Sequence, residues 1–106
     1  MVATQGMIWV WLKNPGKPPA KKWIPNQLEF LQMFVEGYIE TFTITHDMVV
    51  ICNEEGKLKD LPYNCTICGE DFVGNIIIAG TQEDEFADVP LSEDLMRKMF
   101  PGFWED

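Results

Sequence analysis

The chain is poor in the residues that carry most catalytic and metal chemistry. It has one histidine, His46, and three cysteines, Cys52, Cys65 and Cys68. An odd cysteine count argues against a disulfide framework. Any Ser–His or Cys–His pair would have to run through His46, which reads as a surface turn residue. No glycine-rich phosphate loop exists, because Gly74 and Gly80 flank an apolar run rather than open a helix. No apolar run approaches the roughly 20 residues of a membrane span. The first such run, Met7–Leu12, lacks the basic flank of a secretory leader. Basic residues are scarce as well: eight Lys and Arg face 17 Asp and Glu, for a net charge of −9. That balance disfavours nonspecific binding to nucleic acid or to an anionic membrane. The expectation is a cytoplasmic chain with reduced thiols, no cofactor, no membrane partner and no direct nucleic-acid partner.

What remains is enough for one domain. The 106 residues can bury a core without metal or disulfides. The acidity is uneven. Residues 1–68 hold seven acids and six bases, and residues 69–106 hold ten and two. The acidic surface is therefore a property of the C-terminal third.

Apolar periodicity predicts the elements. Met1–Gly6 reads as a loose terminus. Met7–Leu12 is a continuous apolar run, as in a strand buried on both faces, with Ile8, Val10 and Leu12 on one side and Trp9 and Trp11 on the other. The Pro-Gly turn at Pro15-Gly16 leads to a short return strand, Lys21–Ile24. Lys17, Lys21 and Lys22 suit a charged sheet edge that resists pairing with other sheets. Gln27–Glu36 reads as a helix, with Asn26 and Glu29 as a capping box, Leu28, Leu31, Phe34 and Val35 as the core stripe, and Gly37 as the left-handed cap.

Tyr38–Thr45 alternates like a strand with one solvated face. His46-Asp47 connects it, through a looser turn than the favoured hairpin types, to the apolar run Met48–Cys52. Asn75–Ala79 is a further strand. Ser92 caps a last short helix, whose Leu95, Met99 and Phe100 face the core and which Pro101-Gly102 stops. The sum is an α+β domain. It has a mostly antiparallel sheet of four or five strands, one packed helix and a short C-terminal helix, in an order compatible with a β-grasp-like fold.

Three groups of residues are candidates for function. The polar stretch Asn53–Asn64 interrupts two apolar strands. Leu58 and Leu61 are spaced to anchor it, and Asn53, Glu54, Glu55, Gly56, Lys57 and Asn64 form a candidate ligand- or peptide-binding loop. Glu83, Asp84, Glu85 and Asp88, with Glu93 and Asp94, form a candidate acidic surface for a basic protein partner. Cys65-x-x-Cys68 is a weak zinc candidate, because a tetrahedral site needs four ligands and the chain offers few others. No catalytic residue is expected.

The strings Gly37–Glu40, Val49–Asn64 and Ile76–Gly80 carry a resemblance. They are similar to a domain-of-unknown-function family of short proteins from bacteriophages and from mobile elements and genomes of bacteria, notably Firmicutes. The likeness spans about Met7–Leu95, and Asn-Glu-Glu-Gly-Lys-Leu-Lys-Asp-Leu-Pro-Tyr-Asn at 53–64 is its most specific piece. The chain departs from the family pattern at His46-Asp47 and at Cys65 and Cys68. The resemblance implies no reaction or cofactor. It implies an accessory protein of phage or mobile-element type that binds a host or phage protein.

Overall fold

Isoleucine, valine and methionine fill the three strands that meet in the middle of the sheet, and that composition dictates the layering. The computed structural model describes residues 6–104. The loose terminus expected for Met1–Gly6 lies, apart from Gly6, outside the described residues. In chain order the elements are β1 (Met7–Lys13), β2 (Ala20–Pro25), α1 (Leu28–Val35), β3 (Ile39–Thr45), β4 (Met48–Asn53), β5 (Tyr63–Ile67), β6 (Glu70–Val73), β7 (Ile76–Gln82), β8 (Glu85–Ala87), α2 (Glu93–Met99) and α3 (Pro101–Trp104).

The main sheet runs β2-β1-β7-β4-β3, and β8 extends it by pairing with the end of β7. Every ladder is antiparallel. β5 and β6 form a separate hairpin. The fold is α+β, as expected, with hairpin, helix and further strands in the expected order.

Two apolar clusters lie on opposite faces of the sheet. Ile8, Val10, Val49, Ile51 and Ile77 pack with Leu31 and Val35 of α1. Trp11, Met48, Val50, Ile76 and Ile78 pack with Ile67 and Phe72 of the small hairpin and with Met96, Phe100 and Phe103 of the C-terminal helices. A strand covered on both faces has no polar side, which is why β4 and β7 read as continuous apolar runs. Among the described residues no helix is long and apolar enough to cross a membrane.

Local details differ from the sequence reading, each for a physical reason. Asn26 does not cap α1. It is buried and its amide donates to the Phe86 carbonyl at 3.1 Å, while Gln27 occupies the cap position without a side-chain hydrogen bond. The left-handed residue ending α1 is Glu36 (φ 65°), not Gly37. Gly37 and Glu36 close the last turn by donating to the carbonyls of Gln32 and Met33, the two-bond C-terminal motif in which orphan carbonyls find partners. Gly37 is needed for space instead: a Cβ there would lie 2.6 Å from the Asn53 amide nitrogen.

Leu28, placed in the core stripe, is exposed, and Leu31 and Val35 carry the contact. In α2 the buried residue is Met96, whereas Leu95 and Met99 are exposed. Ser92 caps α2 as expected, accepting from the Leu95 amide. β5, β6 and β8 are not among the strands that periodicity predicts. The β5–β6 and β7–β8 hairpins are each closed by a two-residue turn, Cys68-Gly69 and Glu83-Asp84, in which both residues have positive φ.

Asn53 and Asn64 are buried staples. The Asn53 amide donates to the carbonyls of Val35 and Glu36 at 3.1 and 3.2 Å. Asn64 donates to Lys13 and Gly74 at 2.9 and 2.8 Å. Asn75 donates to Phe34 at 2.9 Å. An asparagine amide satisfies carbonyls that no ladder reaches, and unpaired carbonyls in a core are costly.

Candidate functional site

The stretch between β4 and β5 folds as an ordered turn. Glu54 N–H donates to Tyr38, Glu55 N–H to the Asn53 side chain at 2.8 Å, and Gly56 N–H to the Asn53 carbonyl. Lys59 then donates to Glu55, Asp60 to Lys57 and Leu61 to Gly56, with Asp60 left-handed at φ 57°. This is one helical turn closed by the same two-bond motif that ends α1. Leu61 is half-buried over Gly56 and Gly74 and anchors the turn. Leu58, expected to do likewise, is 86% exposed. Its side chain falls on the outer side of the turn, at the rim of a cavity.

That cavity, about 290 Å³, lies between the turn, the ends of β3 and β4, and β6. Asn53, Glu54, Gly56, Lys57 and Leu58 form one wall, Glu40, Phe42 and Cys52 another, and Glu70–Val73 the third. Glu40 and Cys52 are cross-strand partners, and Glu40 and Phe42 share a face of β3 because side chains alternate along a strand. Phe42 meets Phe72 edge to face at 5.5 Å. Lys57 bridges the walls, its ammonium 3.0 Å from the Glu70 carboxylate. The hydrogen bond from Lys57 to Glu70, and then the charge of Glu70, hold the Lys57 ammonium above its ordinary pKa. Thr66 donates to Asp71 at 2.7 Å, so the Tyr63 hydroxyl, 2.6 Å from Thr66, serves as donor and fixes the pair. Four acidic residues, Glu40, Glu54, Glu70 and Asp71, therefore line a space with one lysine and an aromatic wall.

Cys52 and Cys65 are not poised for nucleophilic work. Burial, then the charge of Glu40, pushes the Cys52 thiol up to about 11. Burial pushes Cys65 up to about 11, against a lowering by Lys13. A thiol, unlike a thiolate, is a poor nucleophile and metal ligand. Cys65 is buried in β5 while Cys68 is exposed in the turn. Among the described residues no three His, Cys, Asp or Glu side chains gather to hold a metal ion. His46 is exposed in the β3–β4 turn, where neither residue has positive φ and a register shift between Thr43 and Thr45 loosens the hairpin.

The chain over residues 8–102 matches the family model described as a domain of unknown function, DUF3846. The chain belongs to the DUF3846 family. No curated protein and no solved structure matches it.

In this DUF3846 domain the candidates of the loop divide. Glu54, Gly56 and Lys57 reach the cavity, and Asn53 borders it while stapling α1. Glu55 does not line it and forms a loose pair with Lys59 at 3.8 Å. Asn64 is turned inward. The acidic candidates lie elsewhere. Glu83, Glu85 and Asp88 border a broader, more polar and more open recess with Met7 and Gln82, and Asp84 shares the strained tip with Glu83. Asp88 already accepts from the Trp9 N–H at 2.8 Å, and Glu93 is held by Arg97 at 3.0 Å. Asp94 sits in the first turn of α2. Sequence reasoning missed Glu40, Phe42 and Phe72, and it weighed Cys52, Glu70 and Asp71 only as partners of the Cys65-Cys68 zinc candidate, not as walls of this cavity. The alternation of Glu40 with Phe42 was a readable signal, but the approach of β6 was not.

Proposed function

We propose that this domain is a binding module and that its working site is the acidic cavity beside the Asn53–Asn64 turn, which takes a cationic group of a partner. The supporting observation is the composition of the walls: Glu40, Glu54, Glu70 and Asp71 against Lys57, with Phe42 and Phe72 behind them. Carboxylates supply charge and the aromatic faces suit a cation. The cavity lies at the small end of ligand pockets and fits one long side chain better than a cofactor. The resemblance to proteins of phages and mobile elements supports a setting in which such a module, acting without catalysis in the cytoplasm, engages a host or phage protein.

The test is an NMR titration with N-acetyl-arginine methylamide at low and high salt. Shifts should concentrate on Glu40, Phe42, Gly56, Lys57 and Glu70–Val73, and should fade with salt because exposed charges are screened. Shifts confined to Glu83–Asp88 would transfer the function to the acidic tip.

A further inference from the structure

The two outer strands of the sheet are built differently. β2 follows Pro18 and Pro19 and carries Lys21 and Lys22. Its Trp23 packs on Trp9 at 5.1 Å, with Lys21 above the Trp9 ring. Proline and lysine are the usual protections of a sheet edge. β3 at the opposite edge pairs with β4 alone among the described residues. Ile39–Thr45 contains no Pro, Lys or Arg and three threonines, and its central residues are exposed. Its Glu40 and Phe42 line the cavity. An edge free of Pro and Lys, regular from Ile39 to Thr43 and irregular only towards Thr45, therefore borders an acidic hole on one face of the same strand.

We propose that β3 and the cavity form a strand-addition site for an extended peptide segment bearing Lys or Arg. This rests on the cavity's taking a cation and adds the way the partner's backbone is held. The peptide pairs with β3 by main-chain hydrogen bonds, and pockets for alternate side chains supply specificity in such complexes. Every second side chain of the added strand stands on the face of Glu40 and Phe42, about 5 Å from its cross-strand neighbour. A Lys or Arg there enters the space between Glu40, Glu54, Glu70 and Asp71. A second copy of this chain fits poorly. Edge-to-edge pairing would bring Glu40 and the acidic walls of two chains of net charge −9 together, and like charges oppose association.

The experiment selects binders from a displayed random nonapeptide library against the full chain. The enriched peptide is then resynthesised with alternate amides N-methylated in each of the two registers. Enriched peptides should carry Lys or Arg flanked by β-formers. One methylation register should cost at least about tenfold in Kd and the other should be tolerated, because only one edge of the added strand faces β3. Hydrogen exchange should show new protection along Ile39–Thr45, and Glu40→Lys should abolish binding while leaving the melting temperature in place.

Equal tolerance of both registers, or no protection of β3, overturns strand addition even where Arg→citrulline in the peptide still destroys binding and so upholds the cation site. Binding indifferent to Arg→citrulline, or absence of any enrichment, overturns both. Protection of β3 that rises with protein concentration alone would mean pairing between copies and overturn the peptide.

Discussion

Two polar excursions leave the sheet, the turn at residues 54–61 and the acidic tip at Glu83-Asp84, and they are held in opposite ways. In the first, six of the eight backbone N–H groups, all but those of Lys57 and Leu58, have partners among the described residues, and one residue is left-handed. The Asn53 side chain ties this turn to α1. In the second, both residues lie in the left-handed region at φ 51° and 65°, and neither is glycine or asparagine. Turns of this hairpin type favour Asn-Gly because L residues are strained there. The difference teaches that charge density and order are separate properties. The more acidic tip projects from a short hairpin. The nearly neutral turn is fixed closely enough to serve as the wall of a cavity.

That contrast is broken first by removing the staple. Asn53→Ala leaves two carbonyls of the α1 terminus and the Glu55 amide without their partner. It should lower stability by about 2–4 kcal/mol in urea unfolding, and Asn64→Ala by a similar amount. A loss below about 0.5 kcal/mol would show the turn is not tied down.

Lys13 sharpens the picture of the turn's far end, since Asn64 donates to its carbonyl. Its side chain is fully buried and its ammonium has no hydrogen-bond partner among the described residues. A buried polar group without a partner is costly, so Lys13→Met should raise stability by on the order of 2 kcal/mol. Destabilisation would reveal a hidden partner.

The thiols give a pH test of the same region. Cys52 and Cys65 hold their protons in the folded state up to about 11, against 9.0 for the free thiol. The unfolded chain loses these protons first, so their contribution is complete below pH 9 and is lost as pH rises towards 11. The loss should be on the order of 1–3 kcal/mol per thiol, and the curve should flatten in Cys52→Ala and Cys65→Ala.

At the acidic tip, Glu83→Asn with Asp84→Gly should relieve strain and raise stability by about 1–2 kcal/mol. The smallest effect is expected in the wall itself. Glu54→Ala should move stability by less than about 0.5 kcal/mol, because its side chain is exposed, while weakening the arginine-induced shifts.

Strand identity was legible wherever a segment is covered on both faces. Met48–Cys52 and Asn75–Ala79 carry their burial in their composition, and Ser92 announces its helix by local chemistry. Met7–Leu12 is a strand as expected, but it is not buried on both faces, because Met7 and Trp9 are exposed beside the edge strand β2. The asparagines were misread for an equally definite reason. Asn26 before a helical pattern looks like a cap, yet its amide is taken by Phe86, 60 residues away. Asn53 and Asn64 look like polar loop residues, yet each reaches a carbonyl supplied by another element. A short polar side chain can serve a local or a distant backbone group, and only the fold says which one lies within 3 Å.

The polar, turn-rich composition of 53–64 determined by itself that these residues connect two strands as an anchored turn, while its helical form and the left-handed Asp60 that closes it were decided by the fold. The strongly apolar runs determined a covered sheet, and the scarcity of bases determined an acidic surface. Tertiary structure alone decided where that acidity becomes a site. Glu40, Glu54, Glu70 and Asp71 are scattered over more than thirty positions, with no periodicity to join them. They meet because β6 folds back over the end of β3 and β4 and the Asn53 staple holds the turn beside it. Charges converge through packing of distant elements, and a one-dimensional pattern does not record that distance.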